Sequence, residues 1–137
     1  MKKIVYDCDL TLGVPGCDVD DGLALMYLLG CPEAELLGVT ATYGNNKIDV
    51  LWETMNRMLS ELGQTELPTR KGGAARGEFQ SDAAEFLVDM ANQYAGELSI
   101  LATGSLTNLG GAYTLDPHFF EKVKEIVLMG GITEPLV

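Results

Sequence analysis

Five aspartates, Asp7, Asp9, Asp18, Asp20 and Asp21, fall between positions 7 and 21, out of 20 acidic residues in the whole chain. Carboxylates crowded into one loop repel each other unless something neutralises them. A hard cation does so, because it takes carboxylate and carbonyl oxygens together; Mg²⁺ and Ca²⁺ both fit that description. Such an ion lowers the pKa of a bound water, and a neighbouring carboxylate can then take the water's proton. The residue types alone therefore point to cation-assisted hydrolysis. The plainer reading makes Asp20 and Asp21 the acids of a helix start and the others loop acids.

Other chemistries find little footing. One histidine, His118, and three cysteines, Cys8, Cys17 and Cys31, offer no zinc-type cluster. His118 follows Asp116-Pro117 and reads as an exposed turn residue. The odd cysteine count, without CxxC spacing or a secretory leader, suggests reduced thiols in a cytoplasmic protein. GxxxxGK[ST], GxGxxG and GxSxG are all absent, so nucleotide-binding loops and a serine nucleophile elbow are unsupported. The segment Gly72-Gly73-Ala74-Ala75-Arg76-Gly77 has a composition that could cradle a phosphate, but an ordinary loop is the simpler reading. A net charge of −11 argues against nucleic acid or an anionic membrane as partner. No apolar run is long enough to cross a bilayer.

The acids need elements to hold them. Ile4-Val5-Tyr6 reads as a buried strand ending at the first acids. Residues 10–19, with Gly13, Pro15 and Gly16, read as a loop. A helix is expected from Asp20; its segment Leu23 to Leu29 is almost wholly apolar, which predicts burial on every side. Gly30 and Pro32 end it. Leu36 to Tyr43 reads as a second strand, broken by Gly44-Asn45-Asn46. Ile48, Leu51, Trp52, Met55, Met58, Leu59 and Leu62 have helical spacing and read as core, with Gly63 as the stop. Pro68 begins a short strand and then the basic, Gly-rich loop. Asp82 with Glu85 predicts a capping-box helix start, and Phe86, Leu87, Met90 and Tyr94 form its face. Leu98 to Ala102 is a strand, Thr107 to Tyr113 a short helix, and Ile126 to Met129 another strand before Gly130-Gly131.

Strands alternating with helices at this spacing predict an α/β fold, a mostly parallel sheet flanked by helices. Such sheets bind ligands beyond the carboxyl ends of their strands. The acids after Tyr6, Gly44-Asn45, Thr103-Gly104 and Gly130-Gly131 should therefore share one rim. A parallel sheet is covered on both faces, and no helix comes after the last strand before Val137. Residues 1–137 are accordingly expected to be a single α/β unit, the N-terminal part of a larger domain.

Two resemblances compete. Asp7-Cys8-Asp9-Leu10-Thr11-Leu12 resembles the DxDxT[LV] signature of haloacid dehalogenase-type phosphatases. That resemblance implies Asp7 as nucleophile and Asp9 as acid/base with Mg²⁺ between them, but it covers six residues only. The second covers nearly the whole chain. Asp7-Cys8-Asp9, Pro15-Gly16-Cys17 and Asp20-Asp21-Gly22-Leu23-Ala24-Leu25 resemble the Asp-x-Asp-Pro-Gly-x-Asp-Asp start of inosine–uridine-preferring nucleoside hydrolases. Gly44-Asn45, Lys71-Gly72-Gly73-Ala74-Ala75-Arg76, Ala102-Thr103-Gly104-Ser105-Leu106-Thr107-Asn108, Asp116-Pro117 and Ile126 to Gly131 are similar to that family's subsequent segments, in the same order.

This resemblance implies a Rossmann-like nucleoside hydrolase fold and hydrolysis of the N-glycosidic bond of ribonucleosides to base and ribose. It implies a bound Ca²⁺ with Asp9, Asp21 and the Thr103 carbonyl as ligands, and Asp9 as the catalytic base. It implies Asp20 and Asn45 on ribose hydroxyls, Met129 lining the sugar pocket, Asp7 in support, and association into homo-oligomers. An oxocarbenium-like transition state suits such a carboxylate-rich site. The sequence departs from the family in two ways. Leu10 to Val19 is longer than the usual connection and brings in Asp18, so the choice of Asp20-Asp21 rests on the apolar helix downstream of them. The family's later Asn/Glu stretch and His-Asp pair would lie beyond Val137. The remaining alternative is a nucleoside-binding or structural remnant without activity.

Overall fold

The computed structural model describes residues 1–44 and 46–129. Five parallel strands, β1 (Lys2–Cys8), β2 (Ala34–Ala41), β3 (Thr69–Lys71), β4 (Leu98–Ala102) and β5 (Glu125–Leu128), form one sheet in the order β3-β2-β1-β4-β5. Between them run α1 (Asp20–Gly30), α2 (Ile48–Glu61), α3 (Asp82–Gln93), α4 (Thr107–Leu115) and α5 (Phe119–Lys122). The sequence expectation of an α/β fold with a parallel sheet holds. The short α5, introduced by His118 in its turn, is an addition to the elements read from the sequence.

The two sides of β1 feed two cores. Ile4, Tyr6 and Cys8 pack with Leu25 and Leu28 of α1 and with Met55, Met58 and Leu59 of α2. Val5 packs with Phe86, Leu87 and Ala91 of α3, Leu109 and Ala112 of α4, and Phe119 of α5. This period of two is why successive residues of the Ile4-Val5-Tyr6 run are all apolar, as a strand segment buried on both faces requires. Trp52 and the α2 methionines belong to the first core, as their spacing predicts.

Two local expectations are corrected. α1 is not buried on every side: Leu23 and Tyr27 are 53% and 73% exposed while Leu25 is wholly enclosed. A helix laid on one face of a sheet can bury only one stripe, whatever its composition. The helix predicted to start at Asp82 with a capping box is capped by Ser81, whose side chain accepts from the Ala84 amide at 3.1 Å. A hydroxyl one position earlier satisfies the free amide that a first-turn Asp cannot reach.

β1 is central, with β2 and β4 on either side. Their carboxyl ends are level, since Cys8 faces Ala41 and Asp7 faces Ala102. The ladder continues just beyond the strands: the Thr42 amide donates to the Cys8 carbonyl at 2.9 Å and the Thr103 amide to the Asp7 carbonyl at 3.0 Å. Residues 9, 42–44 and 103–105 are thus held at one rim.

Candidate active site

At this rim the aspartates separate into different environments. Asp7, the penultimate residue of β1, is fully buried. Its Oδ1 accepts from the Thr40 hydroxyl at 2.5 Å and from the Asn108 amide at 2.8 Å. Its Oδ2 is buried and has no hydrogen-bond partner among the described residues. Burial pushes its carboxyl up to about 6; the Asp21 charge adds to the rise, and the Thr40 and Asn108 hydrogen bonds oppose it. A nucleophile must reach its substrate, and an enclosed carboxylate held by two donors does not. The phosphatase alternative, which needs Asp7 as nucleophile, finds no support.

Asp9 is half-buried, just past the end of β1. Two glycines make room for it. A Cβ on Gly44 would lie 2.6 Å from Asp9 Oδ2, and one on Gly104 would lie 3.3 Å from Asp9 Cβ and 2.6 Å from the Thr42 methyl. Any larger residue at either position would displace the Asp9 side chain or the backbone beside it. Asp21, in the first turn of α1, is 5% exposed. Its Oδ2 accepts from the Asp9 amide at 2.9 Å, so the Asp21 side chain is fixed to the backbone of Asp9 across twelve residues of chain. The Thr103 segment closes the third side, because a Cβ at the Gly104 position would approach the Asp9 amide nitrogen to 3.2 Å.

Asp20 and Asp18 are exposed. Asp20 stands beside Asp21 at the start of α1. Asp18 contributes its carbonyl, which accepts from the buried Thr11 hydroxyl at 2.8 Å and ties the long 10–19 loop back on itself. Met129 comes directly after β5, its amide donating to the Ala102 carbonyl at 2.9 Å and its side chain 57% exposed. Asn45 and Gly130-Gly131 lie outside the described residues.

Among the described residues no group of three or more His, Cys, Asp or Glu side chains gathers to hold a metal ion. The five acids therefore do not act as one ligand cluster. What the rim does offer is oxygen-bearing groups on three segments: Asp9, the Asp21 side chain bonded to the Asp9 amide, and the strand end at Thr103-Gly104. All are oxygen donors, and the adjacent acids carry like charge that a cation would offset. Such a donor set suits a hard ion rather than zinc.

Two further residues, Asn108 and Tyr6, organise the rim. The Asn108 amide donates to Asp7 Oδ1 and to the Ala41 carbonyl at 3.0 Å, and its Oδ1 accepts from the Gly73 amide at 3.2 Å. One buried side chain thus ties the ends of β1 and β2 and the loop after β3 to α4. Tyr6, wholly enclosed, places its hydroxyl 3.2 Å from the Asp21 carbonyl and 3.0 Å from Thr103 Oγ1. Both lie in segments singled out from the sequence, but only the folded sheet brings their partners near.

The sequence model of inosine-uridine preferring nucleoside hydrolases matches residues 4–135. Uridine nucleosidase 1 of Arabidopsis thaliana is 31% identical, with 95% of this chain and 45% of that protein covered. The inosine-uridine preferring nucleoside hydrolase of Leishmania major is 28% identical, with 95% and 48% covered. Among solved structures, a plant nucleoside hydrolase superposes with a TM-score of 0.83 at 27% identity, over 96% of this chain and 48% of that one. A purine-preferring ribonucleoside hydrolase from Gardnerella vaginalis gives 0.81 at 27%, over 96% and 49%. The chain spans about half the length of the curated relatives it matches.

Proposed function

The chain belongs to the inosine-uridine preferring nucleoside hydrolase family, and on that premise we propose that its protein hydrolyses the N-glycosidic bond of ribonucleosides, releasing free base and ribose. The observation that supports this most directly is the juxtaposition of Asp9, Asp21 and Thr103 at the rim. Residues 1–137 would form the N-terminal part of the hydrolase domain, in keeping with the half of each relative that they match.

Asp9, Asp21 and the Thr103 carbonyl would hold a Ca²⁺ ion. When bound, such an ion offsets the paired carboxylate charge and eases ionisation of a water. Asp9, the half-buried carboxylate at the mouth, takes the proton from the attacking water. The water oxygen bonds to the ribose anomeric carbon as the C–N bond breaks, and its electron pair leaves with the base. Asp21 keeps its neighbour oriented through the Asp9 amide. Asp20 and Asn45 would hold ribose hydroxyls, and Met129 would line the sugar side of the cleft. Asp7 stays out of the reaction and supports the rim from below.

A cytoplasmic location and homo-oligomeric assembly belong to the same proposal; no helix of the described residues is long and apolar enough to cross a membrane. The test is ribose release from inosine, uridine, adenosine and cytidine by the full-length gene product that carries this sequence. We expect release that a chelator abolishes and Ca²⁺ restores, and that Asp9→Asn lowers by several orders of magnitude. Absence of release from every ribonucleoside overturns the reading.

A further inference from the structure

We infer that Tyr6 is a positioning residue for the cation site, its hydroxyl locking Asp21 and Thr103 into one rigid unit; this rests on the hydrolase reading above. A carbonyl can only accept, so the Tyr6 hydroxyl donates its single proton to the Asp21 carbonyl at 3.2 Å. Its lone pair then accepts the Thr103 hydroxyl at 3.0 Å. The donor and acceptor roles are therefore fixed by chemistry, with no freedom to rearrange.

The consequence is a closed circuit. The Asp21 side chain sits on the Asp9 amide. The Asp21 backbone sits on Tyr6, Tyr6 on the Thr103 side chain, and the Thr103 amide on the carbonyl of Asp7, Tyr6's neighbour. Tyr6 joins partners 15 and 97 residues away. It is fully enclosed among Cys8, Leu10 and Leu25, so its ring has no alternative place to go. A proposed ligand on a helix start and another at a strand end would otherwise move with separate elements. A buried hydroxyl with both partners supplied holds them in register, as groups behind metal ligands commonly do.

The test is Ca²⁺ titration calorimetry on the full-length gene product, on Tyr6→Phe and on Thr103→Val. Tyr6→Phe keeps the ring and removes only the hydroxyl; Thr103→Val keeps the carbonyl and removes only the partner hydroxyl. We expect each to weaken Ca²⁺ binding about tenfold. The double variant should be no weaker than either single one, because both remove the same link. kcat should fall more than KM rises, since the reacting groups move while the substrate pocket stays. A purely structural tyrosine would lower the melting temperature in chelator and leave the Ca²⁺ affinity of the folded protein unchanged; that result overturns the inference alone. Absence of any binding heat in the unmodified protein overturns the cation site itself and the inference with it. Should Tyr6→Phe not fold, an unchanged affinity in Thr103→Val is sufficient to overturn the inference.

Discussion

Asp7 is a carboxylate with one oxygen fully engaged and the other enclosed without a partner among the described residues. Burial raises its pKa from an ordinary 3.8 to about 6. The folded chain therefore holds this proton more tightly than the unfolded chain does. Its favourable contribution is complete below about pH 4 and is lost as pH rises through 6, roughly 3 kcal/mol over the two units. In chelator, denaturant unfolding between pH 4 and 7 should show that loss, and Asp7→Asn should flatten it. Asn108→Ala removes three hydrogen bonds and leaves the Thr40 hydroxyl as the donor to Asp7, so the same measurement should give a loss of about 2–4 kcal/mol. In the sequence, only the resemblance in motif order sets Asp9, Asp20 and Asp21 apart from Asp7 and Asp18, and their roles belong to the proposal. The role of Asn108 was not legible there: its partners are the strand ends at Asp7 and Ala41 and the loop at Gly73, brought together only by the sheet. The hydroxyl of Tyr6 was equally silent, because Ile4-Val5-Tyr6 reads simply as apolar strand.

The elements were legible wherever a period or a punctuating residue governed them. β4 runs from Leu98 to Ala102 as its composition predicts, and α2 obeys the spacing of Ile48, Leu51, Met55 and Met58. Composition misled at α1, where apolar residues on the outer stripe face solvent. Leu25→Ala should cost about 2–5 kcal/mol by thermal or chemical unfolding, while Tyr27→Ala on the outer face should change stability by less than about 0.5 kcal/mol. At α3 the cap is Ser81 and not Asp82. Ser81→Ala should destabilise by about 1 kcal/mol and Asp82→Ala by less, a difference that a pair of melting curves resolves. Nothing in the composition of that segment separates two adjacent cap-forming residues; the geometry of the incoming chain decides.

At the scale of the molecule, alternating strands and helices implied a parallel sheet, and the sheet's order then emerged only from the structure. Placing β1 between β2 and β4 is what brings residue 9 against residues 44 and 104. The net charge of −11 includes the acids of this rim. A cation bound there in the native state alone should raise the melting temperature; saturation at a hundred times Kd is worth about 2.7 kcal/mol. Thermal melts in Ca²⁺ and in chelator should differ accordingly, and Asp9→Asn should remove the difference. The Asn108–Asp7 bond closes a span of 101 residues. Contacts of that separation form only after the intervening chain has been confined, which makes them slow and late in folding. On a ribosome, the first two strands can emerge and pair while the proposed binding rim still lacks its third wall. Cation capture would then coincide with completion of the sheet, and its rate would report the docking of β4 rather than diffusion of the ion.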